Sequence, residues 1–173
     1  IAGHNAVPGA GFYKRFKSTG VDYFDARGSI HFTAAKYLDL QFGYDKNFIG
    51  NGYRSLFLSD FSNNYLFFKI NTRIWKLNYM NLFMELTPQT IHINAGNKLL
   101  DSKYMAIHHL SINATRWLNI GLFEAVAFGR KNRFSLSYIN PVMFLRVAEQ
   151  QNGSADNAVV GLDVKANIAR RVQ

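Results

Sequence analysis

Catalysis or metal binding would have to come from five histidines and a scatter of carboxylates in this 173-residue chain. His108 and His109 are adjacent, and neighbours on a strand point to opposite faces, so a single metal ion cannot take both without a bulge. His4, His31 and His92 have no ligand-like spacing, and no Gly-x-Ser-x-Gly motif occurs. The best hydrolytic set to be assembled is Ser111 near His109, with Glu85 across a strand. The histidines read as hydrogen-bonding groups, and we expect no enzyme, no metal and no cofactor. The absence of cysteine removes disulfides, thiolate metal sites and thiol chemistry.

Binding chemistry is better represented. In the stretch from Phe42 to Ile70, Gly50 and Gly52 allow a tight backbone course, and Tyr53 beside Arg54 offers an aromatic face next to a guanidinium. That pairing suits sugar rings and anionic groups, and it equally suits a loop packed on its own wall. The stretch from Arg130 to Asn157 mixes Arg130, Lys131, Arg133 and Arg146 with Phe134, Tyr138 and Phe144. A long loop of this kind either serves contact or folds back as a plug. Twenty basic against eleven acidic residues give a net charge of +9, which favours acidic partners such as charged polysaccharide or lipopolysaccharide phosphate. Nucleic acid is not expected for the compartment argued next.

These loops need a frame, and the alternation of residue types supplies it. Leu38, Leu40, Phe42 and Tyr44 oppose Asp39, Gln41, Gly43 and Asp45; Leu66, Phe68, Ile70 and Ile74 oppose Phe67, Lys69, Asn71 and Arg73. Val160, Leu162, Val164 and Ala166 likewise oppose Gly161, Asp163, Lys165 and Asn167, and Asp22 to Ala34 reads as one more such strand. Tight turns at Ala34-Ala35-Lys36, Arg73-Ile74-Trp75-Lys76 and Asn113-Ala114-Thr115-Arg116 join strand pairs, and long polar connections separate the pairs. Short turns at one end and long loops at the other are the habit of an outer-membrane β-barrel. Mean hydropathy is −0.12, and no run approaches the roughly 20 apolar residues of a membrane helix. The fold expected is therefore all-β, an antiparallel transmembrane β-barrel with short periplasmic turns and long extracellular loops, in the bacterial outer membrane.

Aromatic residues make up 15% of the chain. Tyr37, Trp75 and Trp117 sit beside the tight turns and are expected at one interface, as a girdle. The runs Leu77 to Leu86 and Tyr104 to Ile112 are less regular. In Trp117 to Phe128, Glu124 shares a face with Leu118, Ile120 and Leu122, which calls for a bulge, a protein-covered position or a place near a rim. About eight strands of roughly ten residues are counted, a membrane-crossing length. A start at Ile1 without Met or a signal peptide, a stop at Gln173 in a charged stretch, and bulky polar inward residues favour residues 1–173 as one barrel domain that is a segment of a longer protein.

The string "FGYDKNFIGNGYRSLFLSDFSNNYLFFKI", followed by "HHLSINATRWLNIGLFEAVAFG" and "YINPVMFLRVAEQQNGSADNAVVGLDVKANI", resembles the Wzi family of outer-membrane capsule-assembly barrels, and within it the RemB-like gliding-motility branch of Bacteroidota. The shared elements are the Gly-Tyr-Asp-Lys strand end, the Gly-Asn-Gly-Tyr-Arg-Ser loop, Glu124-Ala125, Asn140-Pro141 and the Asp156 run. The resemblance implies a large barrel of about eighteen strands that binds surface polysaccharide at the cell exterior without chemistry. Tyr53, Arg54, Arg130, Lys131 and Arg133 are the expected contacts to acidic glycan and lipopolysaccharide. The alternative is a structural or accessory subunit of a Bacteroidota gliding, secretion or assembly complex, in which the same loops meet other outer-membrane proteins.

Overall fold

The computed structural model describes residues 6–7, 11–50, 52, 57–86, 102–129, 136–140, 145, 147, 150, 153 and 156–167. Ten strands are present among them: β1 (Ala6–Val7), β2 (Gly11–Phe16), β3 (Gly20–Tyr23), β4 (Gly28–Ala35), β5 (Leu38–Asp45), β6 (Tyr65–Ile74), β7 (Leu77–Leu86), β8 (Lys103–Asn113), β9 (Leu118–Phe128) and β10 (Asn157–Ala166). A short 3₁₀ turn spans Leu136–Ile139. β1 to β3 form a small sheet, and β4 to β10 form a seven-stranded sheet in which every strand pairs antiparallel with its neighbour in sequence. The protein is thus all-β and antiparallel, as the alternation required. The large sheet ends in β4 and β10, which do not meet among the described residues.

Two expectations change here. Asp22 to Ala34 is not one strand: β3 stops at Tyr23, β4 starts at Gly28, and the two belong to different sheets. The alternating pattern runs through the break, but Asp25 in the gap is held by Arg27 at 3.0 Å and by the Asn64 amide, side-chain bonds that replace a ladder. The second change concerns the face that carries Gln41, Lys69 and Asp163. It is polar toward the tight turns and, on β4 and β5, along its whole length. Toward the long connections it carries Tyr65, Phe67, Met80, Leu82, Met84, Ile107 and Ala125, all buried, with Ile49, Phe57 and Leu58 of the first long connection packed over them. That cover explains why Leu77 to Leu86 looks irregular, since β7 is apolar on both faces where a connection lies on it.

The opposite face carries an apolar row on every strand, because the register aligns Ile30, Phe42, Phe68 and Phe83 from strand to strand, and likewise Leu110, Leu122 and Leu162, with Asn81, Glu85, His108 and Glu124 as its polar members on β7 to β9. Part of it is covered: Tyr138 and Leu145 of the third long connection bury Phe83, Ala106, Val126 and Phe128. Much of the rest is bare, with Ile30 72%, Val160 60% and Leu162 66% exposed. Leu40, Phe68 and Leu162 therefore share one uncovered face instead of meeting across two layers. Tyr37, Trp75 and Trp117 all stand exposed at the turn edge.

Gly43 is the tightest point of the β4–β5 pairing. A Cβ there would fall within 2.6 Å of the Gly28 carbonyl oxygen and the Ser29 Cα, and closer still to the Ser29 Cβ. Backbone cannot yield as a side chain can, so Gly43→Val should part β4 from β5. Amide hydrogen exchange of residues 28–33 is expected to accelerate in this variant, and unchanged protection would contradict the packing described.

Candidate functional site

The site with most polar chemistry is the turn-side half of the polar face. Its side chains come from alternate positions of six strands and meet across the register. On β4 and β5 the Thr33 hydroxyl donates to Asp39 Oδ1 at 2.8 Å, and the Gln41 amide donates to the Ser29 Oγ at 3.1 Å. Asp39 Oδ2 also faces Arg73 Nη2 on β6 at 3.7 Å, so one carboxylate ties three strands. On β8 and β9 the Asn119 amide donates to Asn113 Oδ1 at 2.8 Å. Deeper in, His109 Nε2 lies 3.8 Å from Asp163 Oδ2, the two side chains being almost fully enclosed. Gly121 makes room for that pair: a Cβ there would sit 2.7 Å from His109 Nε2 and 3.3 Å from Asp163 Cβ. An imidazole, carboxylates, carboxamides and cations on one wall can bind a polyhydroxylated, acidic ligand by hydrogen bonds and charge.

Above this half-face the first long connection closes the polar side. Asn47 donates its backbone N–H to the Tyr65 hydroxyl at 3.0 Å and accepts from Lys69 Nζ at 2.9 Å, while the Ile49 N–H donates to the Leu58 carbonyl at 2.9 Å. Gly50 holds φ +82°, and the Phe57 ring occupies the place its Cβ would need. Phe57 in turn packs on Phe123 with centroids 4.2 Å apart. A cavity of about 330 Å³ lies between connection and sheet, walled by Ile49, Phe57, Leu58, Phe61, Ile107 and Phe123 among others. Its lining is chiefly apolar, so it suits an apolar chain or ring better than a sugar. At the same end Asp25 is held below the ordinary carboxylate range by hydrogen bonds from Arg27 and then Asn64, and the Arg27 guanidinium is held above its ordinary value by the same pair. The resulting link from the β3–β4 segment to the β5–β6 connection is present at neutral pH and is lost only as acid protonates Asp25 below that range.

His108 points to the other face, as adjacency on a strand demands. Its Nδ1 lies 3.3 Å from Glu124 Oε1, and the same oxygen accepts the Leu145 backbone N–H at 2.9 Å. The carboxylate that sequence placed awkwardly among leucines is therefore a protein-covered position, with no register shift in β9 on either side. The plug reading of the third connection needs correcting for the residues seen: Tyr138 and Leu145 lie on the apolar face, not on the polar one. Tyr138 is fully buried against Phe128 and donates its hydroxyl to Asp156 Oδ2 at 2.6 Å.

The hydrolytic set does not assemble. Ser111 and His109 share the polar face, but Glu85 lies on the other and accepts from Ser102 at 2.8 Å. The carboxylate beside His109 is Asp163 of β10, which sequence reasoning missed because it needs the β9–β10 register. The lone Gly121 inside a strand was the available signal, since such a glycine marks a close approach. Among the described residues no group of three His, Cys, Asp or Glu is placed to hold a metal ion. Tyr53, Arg54, Arg130, Lys131 and Arg133 lie outside the described residues, as does Arg146. Comparison with known protein families, with curated proteins and with solved structures finds no match.

Glu124 offers a direct check on the latch over the apolar face. Glu124→Ala leaves the Leu145 N–H and His108 without their acceptor, which should cost about 1–3 kcal/mol, whereas Glu124→Gln keeps an acceptor and should cost less. Thermal unfolding followed by circular dichroism ranks the two, and equal melting temperatures would contradict the latch.

Proposed function

We propose that this sheet is part of the wall of a bacterial outer-membrane β-barrel of the Wzi-like kind, which binds or organises acidic surface polysaccharide without catalysis. The observation that carries the reading is the bare apolar face set back to back with a hydrogen-bonded polar half-face. Soluble monomers rarely expose contiguous apolar surface beyond a few hundred Å², and here large apolar side chains stand exposed on one face from β4 to β10. Strands β4 to β10 run to 8, 8, 10, 10, 11, 11 and 10 residues, close to the ~9–11 residues of a tilted membrane strand. Hydrocarbon satisfies the apolar face, and a lumen takes the polar one.

In this orientation the tight turns face the periplasm and the long connections face outward. Tyr53 and Arg54 on the first connection, and Arg130, Lys131 and Arg133 on the third, then meet glycan and lipopolysaccharide. A second reading, an accessory subunit of a Bacteroidota gliding, secretion or assembly complex, draws on one observation. The third connection covers part of the apolar face with protein and leaves Ile139 and Val147 exposed on that cover. Purification in mild detergent separates the two, because a stoichiometric protein partner supports the second reading and a lone barrel the first.

Two outcomes follow from the first reading. Leu162→Arg should lower the folded, membrane-inserted fraction, at a cost of about 2–4 kcal/mol near mid-depth. In a water-soluble sheet the same change at an exposed position would leave stability within about 0.5 kcal/mol. Alanine at Tyr53, Arg54, Arg130, Lys131 and Arg133 together should weaken cell-surface retention of acidic polysaccharide and flatten its salt dependence, and normal surface glycan in that variant would defeat the polysaccharide role.

A further inference from the structure

Three tight turns lie side by side along one edge of the sheet, and each sets an aromatic ring beside a cation: Lys36 and Tyr37, Trp75 and Lys76, Arg116 and Trp117. Lys36 Nζ and Lys76 Nζ each lie 5.2 Å from the centroid of the neighbouring ring. Each turn is also tied to the next hairpin. The Tyr37 carbonyl accepts the Arg73 N–H at 2.9 Å, that of Lys76 accepts the Asn113 N–H at 3.0 Å, and that of Trp117 accepts the Asn167 N–H at 2.8 Å.

Two clefts of about 360 and 410 Å³ result, and their linings repeat. The first joins Trp75, Arg73 and Lys76 to Asn71, Asn78 and Asn113; the second joins Trp117, Arg116 and Lys165 to Asn113, Asn119 and Asn167. Each offers one indole, two cations and three carboxamides, with Asn113 shared; among the described residues no carboxylate lines either, and of their cations Asp39 reaches only Arg73, at 3.7 Å. Trp75 and Trp117, expected as part of a girdle, thus line clefts that also take in Leu77 and Leu118 of the apolar face. Trp75 holds φ +54°, a left-handed position that two-residue hairpins ordinarily give to Gly, Asn or Asp. Backbone strain of this kind is characteristic of sites that need the residue.

We propose that this edge is a glycan-binding subsite in which the two clefts hold successive units of a carboxylate-bearing polysaccharide. The indoles stack on the C–H faces of sugar rings, Arg73 with Lys76 and Arg116 with Lys165 bind the carboxylates, and the asparagines bind hydroxyls. Equivalent positions on successive hairpins lie two strands apart, roughly 10 Å, a step close to a disaccharide. The proposal rests on the reading of the polar face as a lumen wall, and it fails separately from that reading. Leu162→Arg and the loop variants report on the apolar face and the far end, whereas the following measurement reports on the clefts.

Trp75 and Trp117 are the sequence's two tryptophans, so intrinsic fluorescence of the protein in detergent micelles reads both clefts. Hexagalacturonate should give a saturable change in emission that weakens about tenfold or more from low to high salt, as screened charge requires. Arg73→Ala with Arg116→Ala should lower affinity at least about tenfold, as expected for two lost charge-assisted contacts. Trp75→Gly should bind more weakly while unfolding no more readily, because glycine relieves the left-handed turn. The proposal is overturned if hexagalacturonate gives no saturable change, if neutral maltohexaose gives an equal one, or if only phosphatidylglycerol bicelles do so, which would make the edge a lipid-headgroup contact.

Discussion

Alternation of side chains between two faces is fixed by strand geometry, and antiparallel register passes that choice from one strand to the next. Once Leu40 lies on one face, its partners Phe32 and Ile70 lie there too. Farther across the sheet the same rule aligns Leu110, Leu122 and Leu162. A one-residue slip anywhere would bring Lys69 or Asp163 to the apolar side. What is distinctive about the large sheet follows from its two unlike faces, one apolar and much of it bare, the other polar toward the tight turns.

Connections do the remaining work on both faces. The first long connection lays Ile49, Phe57 and Leu58 over the apolar end of the polar face, and the third lays Tyr138 and Leu145 over part of the apolar face. Both are fastened by polar contacts to the sheet: Asn47 with Tyr65 and Lys69 on one side, Glu124 with the Leu145 N–H on the other. These buried bonds matter more than their number implies, since an unpaired Glu124 or Lys69 in such surroundings would be costly. Among the described residues no connection covers the turn edge, where Trp75 and Trp117 stand exposed.

The sheet was legible in the sequence wherever one face was bare, because only there does the pattern alternate cleanly. β5, β6 and β10 were readable for that reason, and the tight turns marked their pairing. β7 was not, since Met80, Leu82 and Met84 are apolar on the second face to meet a loop that no local pattern announces. The break after Tyr23 was hidden because Phe24 and Ala26 keep the alternation going while side-chain bonds from Asp25 end the ladder. Glu124 was visible as an anomaly, and its resolution needed the fold of the third connection. The pair His109 and Asp163, and the clefts at the turn edge, depend on register between strands far apart in the chain, which spacing along one strand cannot supply.

The most direct test of hydrocarbon contact uses the absence of native cysteine, so that each introduced thiol reports alone. Single cysteines at Leu40, Phe42, Leu162 and Val164 are compared with those at Gln41 and Lys165 for reaction with a charged, membrane-impermeant maleimide in membranes, each normalised to the protein unfolded in denaturant. We predict that positions 41 and 165 react while 40, 42, 162 and 164 stay protected until the membrane is dissolved. Reaction at Leu162 and Val164 as fast as at Lys165 in intact membranes would contradict the account.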